Sequence, residues 1–301
     1  MPRIPLPPPL RDGAFSTARA TGLGLSPGRL RGRDLLAPHR GVRIPTALDA
    51  SAEDRAAPLS SERRWFSHLS AARIWGCPLP PHVDLRAHLS AHRRAPRVAG
   101  VVGHKAPPHA APVRRRGLPV SDPITTWLQL AVVLPFDELV ACGDHLVHRP
   151  RYPNRADPRP YVDREALVAA AAEYRGRGAI MARAAAAAVR SHAASRPETL
   201  IRLLLERSGL PIPELNADVY DADGNWIAYC DLVFRDAKVA VEYDGDQHRT
   251  DRRQYERDRQ RLDALADAGW NVIHVRADAL FNHPASVVAR VRRALEASRG
   301  Q

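Results

Sequence analysis

Cysteine, lysine and long apolar segments are scarce in this chain of 301 residues. The three cysteines, Cys77, Cys142 and Cys230, are odd in number and form no CxxC pair. They argue against a disulfide framework or a zinc site, and they favour a reducing compartment. No apolar run approaches the roughly 20 residues that a membrane span needs, and the proline-rich start is unlike a signal peptide. These absences predict a cytoplasmic protein.

Because only Lys105 and Lys238 are lysines, the net charge of +12 comes almost entirely from arginine. Residues 1–195 carry 29 basic and 15 acidic side chains, whereas residues 196–301 carry 16 basic and 18 acidic ones. The basic front half favours a nucleic acid as partner over a membrane surface, because no amphipathic lysine-rich helix or lipidation signal is present. Metal binding or chemistry is then expected in the back half.

Two candidate strands near the C terminus place acids close together. A three-residue loop at 235–237 separates residues 229–234 from the next strand at 238–244, and in so short a hairpin Asp231 pairs near positions 241–242. Asp231 and Glu242 can therefore share one face. Neighbouring carboxylates raise each other's pKa unless a positive charge lies between them, and an oxygen-preferring divalent cation is the usual solution. This hairpin predicts a metal site.

The C-terminal third has the clearest element order, α-β-β-β-α-β-α. It predicts an α/β (α+β) domain with a mixed sheet. The expected elements are a helix at 196–208, strands at 217–220, 226–234 and 238–244, a helix at 251–268, a strand at 270–275 and a helix at 284–298.

This region resembles the PD-(D/E)XK nuclease superfamily, and most closely the branch related to very-short-patch-repair endonucleases. The resemblance covers about residues 196–297 and implies a restriction-endonuclease-like α-β-β-β-α-β core. It also implies Mg²⁺-dependent hydrolysis of phosphodiester bonds in DNA. The residues that carry it are Glu198, Asp231, the run VAVEYDGDQH at 239–248, DRQR at 258–261 and GWNV at 269–272.

The resemblance assigns roles to individual side chains. Asp231 and Glu242 are the implied Mg²⁺ ligands, with the backbone carbonyl of Tyr243 as a third ligand. Glu198 is implied to reach the metal through water. His248 matches a histidine that acts near the attacking water, where a neutral imidazole can take a proton.

Asp244 departs from the superfamily pattern. It stands two residues after Glu242, where the superfamily often has lysine, and a third carboxylate cannot stabilise a pentavalent phosphate as an ammonium would. We therefore include Asp244 among the candidate catalytic positions. His248 and a nearby arginine are left to supply the missing positive charge.

Each of these side chains also has a structural interpretation. Glu198 fits the third position of a capping box, where it would accept a hydrogen bond from the Ser195 amide. A salt bridge to an arginine would neutralise Asp231, whose burial without a partner is costly. Glu242 also fits a polar strand end, and His248 fits a surface position at a helix entry.

Asp258 and Arg261 are expected to support the site rather than act in it. Asp258 shares a helical face with Leu262 and Leu265, so we predict that it pairs with Arg261 or Arg276.

The first 50 residues resemble a helix-turn-helix module. Residues 16–22 and 26–35 read as two short helices, each opened by a serine cap, and residues 38–45 read as a strand and wing. A solvated basic face explains the arginines of this region equally well. The candidate DNA contacts are Arg29, Arg31, Arg33, Arg40 and Arg43.

The front half also resembles the AbiEi-type antitoxin and transcriptional-regulator family. The match covers about residues 12–148 and implies a winged-helix DNA binder that controls its own operon, with an operon partner. It is carried by AFST at 14–17, RGVR at 40–43, FSHLSAA at 66–72 and WG at 75–76.

The domain prediction has five parts: a disordered tail at 1–11, a helix-turn-helix and wing at 12–50, a mixed α/β regulator-like domain at 51–149, a linker with bridging helices at 150–195, and the nuclease-like domain at 196–301. The mixed domain shows no catalytic constellation, and its histidines are scattered at spacings that suit no metal. Those histidines are His68, His82, His88, His92, His104 and His109.

Together these features predict a Mg²⁺-dependent DNA endonuclease-like protein that its basic front half places on DNA. The alternative is a non-catalytic DNA-binding regulator with a degenerate nuclease fold. Double-strand cutting by one site per chain would require a homodimer.

Overall fold

The computed structural model describes residues 4–245 and 252–299 and divides the chain into two compact units. Residues 1–134 and 170–182 form the N-terminal unit, and residues 135–169 and 183–301 form the C-terminal unit. Both contain helices and sheets, which confirms the predicted mixed α/β (α+β) class. No helix in the described part of the chain is long and apolar enough to cross a membrane.

The N-terminal unit begins with a small antiparallel sheet in the order β1-β3-β2. The predicted tail at 1–11 is wrong for its described part, because residues 8–10 form a 3-10 turn and Leu10 is fully buried. The elements are β1 Phe15–Ser16, α1 Thr17–Gly22, β2 Leu35–Leu36, β3 Val42–Pro45 and α2 Ala52–Ala56.

The predicted helix at 26–35 is wrong. Only a 3-10 turn at Arg29–Arg31 forms there, because Gly28 and Gly32 are poor helix formers and the chain closes around an ion pair. Arg29 binds both carboxylate oxygens of Asp34, at 3.0 and 2.7 Å. A Cβ at Gly32 would lie 2.6 Å from Asp34 Oδ1. Glycine therefore permits the close approach that replaces the helix.

A five-stranded mixed sheet in the order β6-β5-β4-β8-β7 forms the rest of this unit. The chain between β4 and β5 forms α3. The pairs β5–β6 and β4–β8 are parallel, and the other two are antiparallel. The elements are β4 Trp65–Phe66, α3 His68–Trp75, β5 Ala87–Ala91, β6 Val101–Lys105, β7 Pro112–Arg115 and β8 Leu118–Ser121.

Four helices follow the five-stranded sheet along the chain. They are α4 Pro123–Leu130, α5 Phe136–Val147, α6 Arg164–Glu173 and α7 Ala179–Ala188. The last two lie within residues 150–195, where bridging helices were predicted.

The last eight elements follow the predicted order, with one short helix added before the last one. The sheet has the order β12-β11-β10-β9, in which only β11 and β12 run parallel. The elements are α8 Arg196–Arg207, β9 Glu214–Tyr220, β10 Trp226–Phe234, β11 Val239–Asp244, α9 Arg252–Asp267, β12 Asn271–Arg276, α10 Ala277–Phe281 and α11 Pro284–Arg299.

Helices cover both faces of this sheet. On one face, Ile201 of α8 and Val287 of α11 pack against Val241 and neighbouring strand residues. On the other face, Leu265 of α9 packs with Ala240 and Trp270. Successive residues of β11 point to opposite faces, so Glu242 and Asp244 lie on the same face as Ala240, near the end of the strand.

Candidate functional site

Asp231 and Glu242 lie next to each other on β10 and β11. The described pairs between these strands run from Phe234 with Val239 to Leu232 with Val241, and Asp231 and Glu242 are the residues that follow the last of these pairs. The loop is a 3-10 turn at Arg235–Ala237, followed by Lys238 with a φ of 47°. The register predicted from the short loop is therefore confirmed.

Asp231 is a partly buried carboxylate held by a single described donor. Its Oδ2 accepts a hydrogen bond from the backbone N–H of Tyr243 at 2.8 Å. Burial, with smaller contributions from the neighbouring Glu198 and Glu242 carboxylates, raises the pKa of Asp231 to about 7, although the Tyr243 hydrogen bond and the charge of Arg261 oppose the rise. The one N–H and the nearby Arg261 compensate this charge only in part, which makes Asp231 a candidate for cation binding.

Glu242 is neutralised by an arginine of α9. Arg261 donates to both oxygens of its carboxylate, at 2.6 and 2.9 Å, and the Glu242 side chain is only 10% exposed. His274 Nδ1 lies 3.9 Å from the same carboxylate. Hydrogen bonding to Glu242 raises the pKa of Arg261, so this forked pair is a strong charge-assisted contact. A cation at Glu242 would compete with it.

Glu198 is buried at the start of α8 but does not form the predicted capping box. Its backbone N–H donates to Ser195 Oγ at 3.4 Å, as expected for the cap. Its Oε2, however, accepts from the Ala194 N–H at 2.9 Å and from Asn216 Nδ2 at 2.6 Å. The side chain reaches one residue further back because Asn216 of β9 also needs an acceptor. Glu198 thus combines a structural contact with proximity to Asp231.

The remaining acids have partners other than those predicted. Asp244 Oδ2 lies 3.4 Å from Arg276 Nε, and Arg261 binds Glu242. The two arginines proposed as partners of Asp258 therefore pair with other acids, and Asp258 itself is exposed. His248 lies outside the described residues, so its role stays a prediction.

The five candidate DNA-contacting arginines divide into two groups. Arg29 is buried in its pair with Asp34 and also donates to the Ile4 carbonyl at 2.5 Å. Arg43 is partly buried and donates to the Leu30 and Val42 carbonyls, at 2.7 and 2.8 Å. These two side chains hold the local fold together. The other three, Arg31, Arg33 and Arg40, are exposed.

Three histidines that the sequence analysis treated as scattered come together in the N-terminal unit. His68, His88 and His104, here called the histidine cluster, place one ring nitrogen each within 4.8 Å of the other two. Among the described residues, no other set of three His, Cys, Asp or Glu side chains meets this distance. Their separations of 20 and 16 residues carry no short-motif signal, because strand pairing brings them together.

A buried ion pair in the C-terminal unit was not predicted from the sequence. Asp144 of α5 and Arg202 of α8 lie 3.1 Å apart, with side chains 1% and 0% exposed. Asp144 also accepts from the Arg190 N–H and from Thr199 Oγ, at 2.7 and 2.8 Å. Burial raises the pKa of Asp144 to about 6 despite these donors. No local sequence pattern predicts that an acid and an arginine on two separate amphipathic helices will form an ion pair.

Two proteins of Mycobacterium tuberculosis are similar to part of this chain: the uncharacterized proteins MT2308 of strain CDC 1551 / Oshkosh and Rv2248 of strain ATCC 25618 / H37Rv. Each is 30% identical over 132 residues, which is 43% of this chain and 48% of the relative. The chain thus spans about half the length of these curated relatives. The crystal structure of the RV2827C protein of M. tuberculosis covers 70% of this chain and 84% of its own, with a TM-score of 0.35 and 19% identity.

Residues 215–295 match the model of the family REase_MTES_1575. The matched segment begins within β9 and ends within α11, so it contains Asp231, Glu242 and Arg261. The match is to a restriction-endonuclease-like family and is consistent with a C-terminal nuclease domain.

Proposed function

We propose that the C-terminal domain is a Mg²⁺-dependent endonuclease domain that hydrolyses phosphodiester bonds in DNA. The observation that carries the proposal is the position of Asp231, which lies beside two further carboxylates within the restriction-endonuclease-like segment. Burial, followed by the neighbouring carboxylates, raises the pKa of Asp231, and a bound cation would favour its charged form. Carboxylate and carbonyl oxygens are the ligands that Mg²⁺ prefers, so these residues fit the ion.

Each residue has a distinct role in this proposal. Asp231, Glu242 and the Tyr243 carbonyl would hold Mg²⁺, and Glu198 would assist through water. When bound, the ion would lower the pKa of an attacking water and neutralise charge at the scissile phosphate. The role of His248 would be that of a general base. The Tyr243 N–H fixes one oxygen of Asp231 and leaves Oδ1, which no described donor reaches, for the ion.

Arg261 is the counter-ion of Glu242 in the absence of a metal. Its forked contact neutralises a side chain that is only 10% exposed and would otherwise be buried as an unpaired charge. Asp244 occupies the place of the usual lysine and is drawn towards Arg276, so Asp244 supplies no positive charge. Binding of a divalent ion by Glu242 therefore requires Arg261 to release at least one oxygen.

The basic front half is proposed to bring the domain to DNA. Phosphate contacts supply most non-specific affinity for DNA, and the exposed Arg31, Arg33 and Arg40 are available for such contacts. A winged-helix regulator module of the AbiEi type, with an operon partner, remains the more specific form of this proposal.

Nicking of supercoiled plasmid tests the enzyme proposal. The full chain with Mg²⁺ is expected to convert supercoiled plasmid to the open-circular form, and Asp231→Asn is expected to lower the rate by about 100-fold or more, because the metal site loses a charged ligand. Asp236→Asn is the matched control, since Asp236 is an exposed acid in the same hairpin. Equal rates for the wild type and Asp231→Asn would reject the proposal.

A non-catalytic DNA-binding regulator is the second candidate function. The observation that favours it is the Arg261 fork on Glu242, which satisfies that acid without a metal. This candidate predicts Mg²⁺-independent binding to duplex DNA and no nicking by any variant. The plasmid assay, run beside a DNA-binding titration of the same protein, separates the two functions.

A further inference from the structure

We propose that the histidine cluster of the N-terminal unit binds a divalent transition-metal ion of the zinc class. The nearest contact in the cluster joins His88 Nδ1 and His104 Nε2 at 2.9 Å. The ligand nitrogens of a tetrahedral zinc site lie about 3.3 Å apart, given Zn–N distances of about 2.0–2.1 Å. Because all three nitrogens lie within 4.8 Å of one another, shifts on the order of 1 Å would bring them to an ion.

The fold positions the three rings from different elements. His88 and His104 come from the parallel strands β5 and β6, where His104 pairs with Ser90, two residues beyond His88. His68 is the first residue of α3 and has a φ of 49°, a left-handed conformation that histidine adopts more readily than most side chains. Its ring stacks on that of His104, with centroids 3.6 Å apart.

Serine hydroxyls orient His68. Ser67 Oγ lies 3.1 Å from His68 Nδ1, and Ser90 Oγ donates to Ser67 Oγ at 2.8 Å. A hydrogen bond at Nδ1 leaves His68 Nε2 for a ligand, which is the usual arrangement of a metal-binding histidine. The His88 backbone N–H is held by Ser70 Oγ at 2.8 Å, which fixes the strand on which the second ring lies.

The fold does not use up the polar capacity of His88. His88 is only 5% exposed, and its Nε2 is buried without a hydrogen-bond partner among the described residues. A metal bound at Nδ1 would require that Nε2 carry the proton. The metal would fix the tautomer of the ring, and Nε2 would remain a buried N–H without a partner among the described residues.

The donor set selects the class of metal. Three imidazoles without a carboxylate favour Zn²⁺, Co²⁺, Ni²⁺ or Cu²⁺ over Mg²⁺. Three protein ligands leave the fourth tetrahedral position to water or another small ligand. We assign the site to Zn²⁺ and use Co²⁺ as its spectroscopic probe. The assignment does not rest on the proposed nuclease function.

Co²⁺ titration of the chelator-treated full chain, without a histidine tag, tests the site. All proteins carry Asp231→Asn, so that the carboxylate site does not contribute to binding. The visible absorption of bound Co²⁺ is expected to saturate at one ion per chain. His68→Asn removes a ligand and retains a residue that tolerates positive φ, and His104→Gln removes the ligand on β6. His82→Gln, at an exposed histidine, is the matched control.

Both ligand variants are expected to bind Co²⁺ more than about 100-fold more weakly, because loss of a residue that only orients a ligand already costs about 10- to 100-fold. Ser67→Ala, which frees His68 Nδ1, is expected to cost about 10-fold. The control is expected to bind as the parent does. Absence of Co²⁺ binding in the parent, or control-like affinity in either folded ligand variant, overturns the proposal. Circular dichroism without metal shows which variants are folded, and one folded variant is sufficient.

Discussion

Asp144 and Asp231 are two carboxylates of the C-terminal unit that the fold treats in opposite ways. Asp144 is 1% exposed and accepts hydrogen bonds from a backbone N–H, a threonine hydroxyl and the Arg202 guanidinium. Asp231 is more accessible, yet it has a single described donor and two acidic neighbours. Burial raises the pKa of both, so burial alone does not distinguish them.

The difference lies in what compensates each charge. Asp144 has a cation and two neutral donors, so its contacts stabilise the fold and leave little for a ligand. Asp231 has a compensation deficit that an added cation would remove. Glu242 lies between these cases, because Arg261 neutralises it from the partly exposed face of α9. An incomplete set of donors is thus a better indicator of a ligand site than a raised pKa.

The largest expected effect comes from breaking the compensated pair. Arg202→Met leaves Asp144 buried without its cation and is expected to lower the free energy of unfolding by about 3–5 kcal/mol. Urea unfolding followed by circular dichroism measures this change. Arg235→Met is the control, because the Arg235–Glu214 pair is exposed and exposed pairs contribute about 0–1 kcal/mol. If Arg202→Met lowers the free energy of unfolding by less than about 1 kcal/mol, the Asp144–Arg202 pair does not have the structural role assigned to it.

Asp231→Asn is expected to change the free energy of unfolding in the opposite direction, so that the variant is more stable than the wild type. Folded Asp231 holds its proton up to about pH 7, whereas an unfolded aspartate releases it near about 3.9. The contribution of Asp231 to the free energy of unfolding of the wild type is therefore fully present below about pH 4, and it is lost as the pH rises to about 7. The variant does not titrate there, so it should be more stable than the wild type at about pH 8, on the order of 4 kcal/mol.

Thermal or urea unfolding at about pH 4 and pH 8 measures this second change. The gain of Asp231→Asn is expected to shrink towards zero at the lower pH, where the wild-type carboxyl is itself neutral. Asp236→Asn, in the exposed turn of the same hairpin, is expected to show no such pH dependence. A stability difference between Asp231→Asn and the wild type that does not change with pH would contradict the claim that the charge of Asp231 is poorly compensated. So would a variant that is less stable than the wild type at pH 8.

Local patterns made much of the C-terminal unit predictable. The strands at 226–234 and 239–244 and their register follow from a short loop and from apolar alternation, which act over few residues. The partner of Glu242 did not follow, because Arg261 lies 19 residues away on a helix whose rotation depends on packing. The histidine cluster and the Asp144–Arg202 pair could not be predicted for the same reason, because they join residues that are distant in sequence. At residues 26–35, an ion pair and two glycines overrode a plausible helix.

Arg261→Gln sharpens the intermediate case of Glu242. Removal of the counter-ion leaves two acids for an incoming cation, so Mn²⁺ and Mg²⁺ are expected to bind on the order of 10-fold more tightly, equivalent to about 1.4 kcal/mol. Isothermal titration calorimetry measures the affinities. Arg259→Gln is the control on the same helix, since Arg259 is 74% exposed and lies 3.9 Å from Asp263. Weaker metal binding by Arg261→Gln would mean that the arginine organises the site instead of competing for it.

The smallest expected effects extend the comparison to the arginines of the front half. Exposed Arg31 is proposed to contact phosphate, so Arg31→Gln should weaken DNA binding a few-fold and reduce the salt-dependence slope by about 1. Arg43 already donates to two carbonyls, so Arg43→Gln should leave the slope unchanged and lower stability by about 1 kcal/mol. Fluorescence anisotropy with a short duplex at several salt concentrations measures both slopes. If both variants change the salt-dependence slope equally, then the internal hydrogen bonds of Arg43 do not prevent it from contacting DNA.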